Sequence, residues 1–226
     1  MIHDSELRFL KKSLPFFSKL SEQERHDIQQ YACIRSYRKG ETIYNSSNDC
    51  LGLIVILRGV VRSYILSKDG KEVTLYRLWE GDTCILTASC LLKNITFDLY
   101  MDAQEDTDLI LIGTDLYSSL MEKNKYVENY TYQLTNHRFS DVMWMIEQVF
   151  FMSLDQRIAV FLMEESAKNK TDTVRMTHAE IATCIGSARE AVSRMLSYMQ
   201  NEHLIELFRG GIRINDRKKL YQLTIK

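Results

Sequence analysis

The sequence predicts an α+β fold in which a roll of short β-strands is followed by a long helix and a winged helix-turn-helix. Short β-type runs alternate with Gly, Asn and Asp turns across residues 34–112. Apolar residues at helical spacing mark residues 126–152, and two helix-start patterns flank a glycine turn within residues 177–196. We therefore divide the chain into domains at residues 1–125, 126–152 and 153–226.

The first of these segments combines flanking helices with strands. Residues 5–31 have the pattern of helices, and β-type runs follow them. The run LIVIL at residues 53–57 is continuously apolar and ends at Arg58-Gly59, and SKDG at residues 67–70 is a turn signal. Strands of this length and spacing indicate a β-sandwich or a barrel-like roll.

The middle segment is expected to be a single helix that buries more than one face. Its helical-spacing stripe consists of Val127, Tyr130, Leu134, Val142, Met145, Ile146 and Val149. Further apolar residues, such as Phe139 and Trp144, lie off that stripe, so one side can pack on the roll and another on a second copy of the chain. A helix buried wholly within one subunit is the alternative. Ser153 and Gln156 fit a capping pattern that starts the next helix and places a hinge at residues 151–153.

Two short helices are predicted on either side of the turn Ile185-Gly186-Ser187. Thr177 with Glu180, and Ser187 with Glu190, fit the Ser/Thr-x-x-Glu capping box at two helix starts. Glycine at the turn accepts the left-handed conformation that a helix stop requires. A second helix placed in this way enters the DNA major groove in helix-turn-helix proteins. An ordinary helical hairpin with solvated charges is the alternative.

The segment after the second helix favours DNA binding over that alternative. Residues 204–208 and 212–214 alternate as two short strands around Arg209-Gly210-Gly211, which makes a wing. Arginine can bond guanine bidentately, glutamate can accept from cytosine, and serine can reach a base or a phosphate. The candidate DNA-binding residues are Arg189, Glu190, Ser193, Arg194, Thr177, Ser187, Arg209 and Arg213.

Residues 176–220 resemble the C-terminal domain of the Crp/Fnr family of bacterial transcription regulators. The matching pieces are TxxEIAxxIG, RExVSRML and NEHLIELFRGGIRINDRKKL. The resemblance implies that Glu190, Ser193 and Arg194 read bases, as in Fnr-type members that prefer TTGAT-like half-sites. Arg189 stands where Crp-type members place another DNA-contacting arginine, and Ala188 replaces a small hydroxyl residue of many relatives.

The resemblance extends to the N-terminal region, through SLPFFSKLS at residues 13–21, RKGETIY at residues 38–44 and WEGDTCIL at residues 79–86. It implies a cyclic-nucleotide-binding-like β-roll that senses an effector, and it adds RNA polymerase as a partner. The phosphate cassette itself is expected to be unmatched, because Ile85 and Leu86 occupy its Gly-Glu positions. No arginine lies between Arg77 and Arg138, so we do not expect cAMP to bind. Another small-molecule effector, or none, is left open.

The five cysteines do not form a disulfide or zinc pattern, and no cofactor or metal site is identified. Two of them flank the region where the family's pocket lies. The candidate effector-pocket residues are Cys84, Ile85, Leu86, Thr87 and Cys90. Cys84 and Cys90 are either small buried residues, or a thiol switch that carries a redox signal, or residues that help to bind a ligand or a metal.

The charge is distributed unevenly along a chain with a net charge of −1. Residues 153–226 hold 12 Lys and Arg against 9 Asp and Glu. The C-terminal part is therefore more favourable for DNA binding than residues 1–152, which carry the excess of negative charge. The sequence shows no signal peptide and no apolar stretch long enough to span a membrane, so we expect a cytoplasmic protein without membrane contact.

The function that these patterns favour is a homodimeric transcription regulator that binds an inverted-repeat operator in double-stranded DNA. The alternative is a cyclic-nucleotide or small-ligand signalling module that lacks sequence-specific DNA binding. An enzyme is not expected, because the chain offers no Ser/His/Asp constellation, paired-carboxylate motif or phosphate loop.

Overall fold

The computed structural model describes residues 1–45, 50–88 and 98–225 of the chain. These residues form two compact units. The first comprises residues 1–70 and 75–142, and the second comprises residues 143–226 together with residues 71–74.

The first unit begins with two helices joined by a 3₁₀ turn. Helix α1 spans Asp4–Ser13, the 3₁₀ turn spans Pro15–Lys19, and α2 spans Glu22–Tyr31. Proline suits the first position of the turn. A backbone N–H at that position has no partner within the turn, so proline, which has no N–H, loses no hydrogen bond there. The Ser21 hydroxyl accepts from the Glu24 backbone N–H at 3.2 Å, which starts α2 with a capping box.

Eight strands of the first part of the chain form two four-stranded sheets. Their bounds are Cys33–Tyr37 (β1), Thr42–Tyr44 (β2), Gly52–Arg58 (β3), Val61–Leu66 (β4), Glu72–Leu78 (β5), Thr83–Cys84 (β6), Tyr100–Ala103 (β7) and Thr107–Gly113 (β8). One sheet has the order β1-β8-β3-β6 and the other β2-β7-β4-β5. The β-roll predicted from the sequence is therefore confirmed.

The roll core is apolar and closely packed around β3 and β8. Leu53, Val55, Ile110 and Ile112 are fully buried in it, which accounts for the continuous apolar run in β3. Gly52 lies at φ +115°, and a Cβ there would stand 2.1 Å from the Ile112 carbonyl oxygen. Only glycine fits that position without moving the backbone of β8.

Helix α3 spans Thr114–Lys123, and the long helix α4 spans Lys125–Phe151. Val127, Thr131 and Leu134 are the buried residues of α4, and all three lie in its first half. The second half exposes large apolar side chains, namely Phe139, Met143, Trp144, Val149, Phe150 and Phe151. A long helix at this position was predicted from its apolar spacing.

The second unit is helical with a small antiparallel sheet. Its elements are Leu154–Asn169 (α5), Thr173–Val174 (β9), His178–Cys184 (α6), Arg189–Asn201 (α7), Ile205–Phe208 (β10), Gly211–Ile214 (β11) and Arg217–Thr224 (α8). The sheet has the order β10-β11-β9, so β9 adds a third strand to the predicted wing hairpin. The Gln156 side chain accepts from the Ser153 N–H at 2.9 Å, in agreement with the capping pattern expected there.

Candidate nucleic-acid interface

Helix α6 starts at the first of the two predicted capping boxes. The Thr177 hydroxyl accepts from the Glu180 N–H at 3.2 Å, and the Glu180 carboxylate accepts from the Thr177 N–H at 2.8 Å. The helix is closed by a turn in which Gly186 takes φ +62° and the Ser187 N–H donates to the Ala182 carbonyl at 2.9 Å. This is the 6→1 hydrogen bond of a Schellman C-cap, and it determines where the next helix can begin.

The second predicted capping box does not form. The N-cap of α7 is Ala188, with extended backbone and no side-chain cap bond, so Glu190 is the second helical residue and not the third. The expectation that Ser187 caps this helix is wrong. The reason lies in the turn, because the Ser187 N–H already closes α6 and one more extended residue is needed before helical geometry starts.

Helix α7 has a buried face and an exposed face. Val192, Leu196 and Met199 are buried in the core of the second unit. Arg189, Glu190 and Arg194 are exposed, and Ser193 is half-buried beside them. The helix therefore presents the guanidinium and carboxylate groups that can bond base edges, on a scaffold fixed by its apolar side.

Sequence reasoning overlooked a side-chain bond between the two helices of this motif. Nδ1 of His178, the first residue of α6, lies 3.1 Å from the Ser193 hydroxyl on α7. Both residues are half-buried. Their separation of 15 positions leaves no local pattern that could have revealed the contact.

The wing is a two-residue hairpin. Phe208 pairs with Gly211, so Arg209 and Gly210 form the turn, and Gly210 has φ +87°. Arg209 is exposed at the tip. On β11, Arg213 lies 3.0 Å from the Glu206 carboxylate across the hairpin, with both side chains about half exposed. Exposed pairs of this kind contribute little to stability, so the guanidinium can exchange its partner for a phosphate at small cost.

The predicted effector-pocket residues lie at β6 and the 3₁₀ turn Leu86–Ala88 that follows it. Cys84, Ile85, Leu86 and Thr87 are buried. The Thr87 hydroxyl donates to the Gly52 carbonyl at 2.6 Å, which ties this segment to β3. Cys90 lies outside the described residues.

Burial keeps the Cys84 thiol in its protonated form. Its pKa is raised, first because burial disfavours the thiolate, although Arg138 nearby acts in the opposite direction. The Tyr76 hydroxyl lies 3.6 Å from the sulfur. Oxidation and alkylation need a thiolate that solvent can reach, so this environment favours the structural interpretation of Cys84 over the thiol switch.

Arg138 is a second residue that sequence reasoning missed. It lies on α4 with only 12% of its side chain exposed, and its Nη2 donates to the Thr83 carbonyl at 2.8 Å. Its Nη1 donates to Asp141 at 2.7 Å, and the guanidinium lies 4.9 Å from the centroid of the Tyr76 ring. The available signal was that no other Lys or Arg occurs in residues 126–152.

The described residues contain neither a metal-binding cluster nor a helix that could span a membrane. Within residues 1–45, 50–88 and 98–225, no group of three His, Cys, Asp or Glu side chains is placed to hold a metal ion. None of the helices described in the chain has the length and apolar character needed to cross a bilayer.

Comparison with known proteins assigns both units. The profile of the Crp-like helix-turn-helix domain matches residues 156–223, and that of the cyclic nucleotide-binding domain matches residues 34–124. A crystal structure from Eubacterium rectale, described as a transcriptional regulator of the Crp/Fnr family, is 41% identical over 95% of this chain and all of that chain, with a TM-score of 0.88. The chain belongs to the Crp/Fnr family. This family consists of transcription regulators and not of enzymes.

More distant Crp/Fnr relatives match along almost the whole chain. The cyclic AMP receptor protein of Thermus thermophilus is 24% identical, over 94% of this chain and 98% of the relative. The fumarate and nitrate reduction regulatory protein of Yersinia pestis is 22% identical, over 99% of this chain and 90% of the relative. The resemblance inferred from the helix-turn-helix motif is thereby confirmed, and with it a regulator that has a helix-turn-helix DNA-binding domain.

One expectation about the Crp/Fnr roll is wrong. The cyclic nucleotide-binding profile covers residues 34–124, which include Ile85 and Leu86, so the cassette is matched after all. The expectation relied on a few phosphate-contacting positions. A domain match depends on the whole succession of strands and turns, and the profile matches that succession over residues 34–124.

Proposed function

We propose that this Crp/Fnr-family protein is a homodimer that recognises an inverted-repeat operator with TTGAT-like half-sites. The observation that carries the proposal is the exposed face of α7. Within the described residues, the side chains of Arg189, Glu190 and Arg194 form no hydrogen bond or ion pair. Charged side chains without intramolecular partners, on a helix held by its opposite face, are available for base edges.

The proposed roles follow from the chemistry of each side chain. Arg194 and Arg189 are assigned to guanine O6 and N7 or to phosphate, Glu190 to a cytosine amino group, and Ser193 to a base. We propose DNA contacts also at the remaining residues of the predicted site, which lie outside α7. Thr177 caps α6, Ser187 lies in the turn, and Arg209 and Arg213 on the wing are assigned to phosphates.

The dimer proposal is supported by the second half of α4. Six large apolar side chains there are 41–82% exposed in the single chain. Several large apolar side chains in one helix segment are rarely left in contact with water, and a second copy of the same helix would cover them. A two-fold dimer also presents two recognition helices to half-sites one helical turn apart, which matches an inverted repeat.

The oligomeric state can be tested by sedimentation velocity at micromolar concentration. Met143→Glu places a charge in the exposed apolar surface and is expected to convert the dimer to a monomer. Gln30→Glu, at an exposed position of α2 outside that surface, is the control and should remain dimeric. A monomeric wild-type protein under these conditions would contradict the proposal.

The roll is the proposed site of an effector, at Cys84, Ile85, Leu86, Thr87 and Cys90. Its placement is supported by the cyclic nucleotide-binding profile over residues 34–124. The absence of arginine from residues 78–137 still argues against cAMP, whose phosphate requires a charged partner. Calorimetric titration with cAMP is expected to show no heat of binding, and a saturable heat would overturn that expectation. RNA polymerase is included among the partners on the strength of family membership.

DNA recognition can be tested by fluorescence anisotropy with a duplex of two inverted TTGAT-like half-sites and a scrambled duplex. Arg194→Ala should cost roughly 1–3 kcal/mol on the specific duplex and relax the base preference at one position. Arg213→Ala should instead weaken binding to both duplexes and lower the salt slope by about one. Equal losses on both duplexes for Arg194→Ala would contradict its assignment as a base reader.

A further inference from the structure

The contact between His178 and Ser193 joins the two helices of the helix-turn-helix by a polar bond. The distance between Nδ1 and the hydroxyl oxygen is 3.1 Å, and both side chains are half-buried. His178 is held at the first position of α6 by the Thr177–Glu180 capping box. The imidazole therefore approaches Ser193 from a fixed backbone position.

Other hydroxyl groups in these helices bond in a different way. The Thr183 hydroxyl donates to the Ala179 carbonyl at 3.0 Å, and the Ser197 hydroxyl donates to the Ser193 carbonyl at 2.9 Å. Both follow the usual bond of a helical Ser or Thr to the carbonyl four residues earlier. The Ser193 hydroxyl bonds across to a different helix, so its orientation depends on His178.

A serine hydroxyl has one hydrogen to donate and lone pairs that accept. When Nδ1 carries no proton, Ser193 donates to it, and the hydroxyl can only accept from DNA, as from the amino group of cytosine or adenine. When Nδ1 carries a proton, Ser193 accepts from it and its own hydrogen is available to guanine, to thymine O4 or to a phosphate. The imidazole thus selects which groups the serine can recognise.

We propose that His178 is a specificity-determining residue of this regulator, which acts by setting the hydrogen-bonding direction of the Ser193 hydroxyl. The proposal rests on the proposed function, because it takes Ser193 to be a base reader. His178 is a positioning residue in this scheme and contacts no base itself.

The test compares base preference at every position of the half-site, by random-site selection and anisotropy, for four proteins. These are the wild type, Ser193→Ala, His178→Phe and the double variant. His178→Phe and Ser193→Ala should change the preference at the same single base pair. The ratio of affinities for the preferred and the other base pairs should fall by about fivefold, which corresponds to the loss of one hydrogen bond. The double variant should show no further change beyond Ser193→Ala, because His178 acts only through the hydroxyl.

Two further variants separate positioning from a merely structural contribution. His178→Asn keeps a group that can donate and accept, and it should restore part of the lost preference. Thr183→Ala removes a hydroxyl bond within α6 without touching Ser193, and it should leave the preference unchanged. Thermal unfolding of each variant confirms that the protein assayed is folded.

The contrary outcomes are distinct from one another. A loss for His178→Phe that is equal on all sequences, or that persists in the Ser193→Ala background, would overturn the proposal. If Ser193→Ala shifts the preference and His178→Phe does not, the inference fails while the proposed function stands. If Ser193→Ala leaves the preference unchanged on a duplex that the wild type selects, Ser193 is not a base reader and both assignments fail.

Discussion

Replacing Arg138 by methionine tests how strongly the long helix α4 is fastened to the β-roll. Methionine keeps the apolar stem of the side chain and removes the guanidinium. The variant loses the 2.8 Å bond to the Thr83 carbonyl, the 2.7 Å bond to Asp141 and the contact with the Tyr76 ring. These three interactions differ in burial, so they contribute unequally.

The magnitude follows from that burial. A hydrogen bond from a charged group contributes about 1.5–3 kcal/mol, and a desolvated cation–π contact contributes up to about 2 kcal/mol. The Asp141 carboxylate is 40% exposed, so its pairing adds only about 0–1 kcal/mol. The cost of burying the guanidinium opposes these gains, and its Nε is buried without a hydrogen-bond partner among the described residues. We expect the free energy of unfolding to fall by about 2 kcal/mol.

Urea unfolding, followed by tryptophan fluorescence and circular dichroism, measures this change. Gln133→Ala, at an exposed position of the same helix, is the control and should stay within about 0.5 kcal/mol of the wild type. Asp141→Asn should cost less than about 1 kcal/mol, since that carboxylate is partly solvated. An Arg138→Met variant as stable as the Gln133→Ala control would refute the view that Arg138 anchors α4.

Three further predictions concern local features of the fold. Thr177→Ala should cost about 1 kcal/mol in thermal unfolding because it removes a helix cap, whereas Ser187→Ala should be near neutral because Ser187 caps nothing. Gly52→Ala should destabilise the roll by more than about 3 kcal/mol in urea unfolding, since its Cβ would overlap the Ile112 carbonyl, while Gly40→Ala, with open space around it, should cost about 1 kcal/mol. Cys84 should resist iodoacetamide at pH 8 in peptide mass mapping, because burial raises the pKa of its thiol; modification as fast as at the half-buried Cys33 would contradict this.

The helix-turn-helix was predictable because its signals are local. Thr177 and Glu180 are three residues apart, Gly186 marks the turn, and the apolar residues of α7 repeat at helical spacing. Each of these depends only on the chain within a few residues. The β-roll was predictable as a class for the same reason, from its strand lengths and turn residues.

The start of α7 shows the limit of such signals. Ser187 and Glu190 fit the capping box as well as Thr177 and Glu180 do, yet only the latter pair forms it. The difference lies in the glycine C-cap of α6, which consumes the Ser187 N–H and shifts the helix start by one residue. A capping pattern directly after a glycine turn is therefore ambiguous, because the turn and the box compete for the same residue.

Contacts between elements distant in sequence could not be predicted. Arg138 donates a hydrogen bond to Thr83, which lies 55 positions away in sequence. This pairing depends on how the first half of α4 packs on the roll. A buried cation needs a partner, since an unpaired buried charge is costly, but the sequence does not indicate which residue that partner is.

The anchoring of α4 sets a physical requirement for any effector bound at the roll. Thr83 directly precedes the buried segment Cys84–Thr87, and it contacts α4 twice, through its carbonyl to Arg138 and through its hydroxyl to the Tyr130 hydroxyl at 2.7 Å. A ligand that displaces this segment must break or redirect those bonds, and each has a buried or half-buried partner that would lose its hydrogen bond. In the chain, α4 is followed by Met152, Ser153 and α5, so this helix is a covalent link to the second unit. We therefore expect variants of Arg138 and Tyr130 to alter operator affinity, although neither side chain lies on the recognition helix. An effector that left both bonds of Thr83 intact would not displace α4 through Thr83.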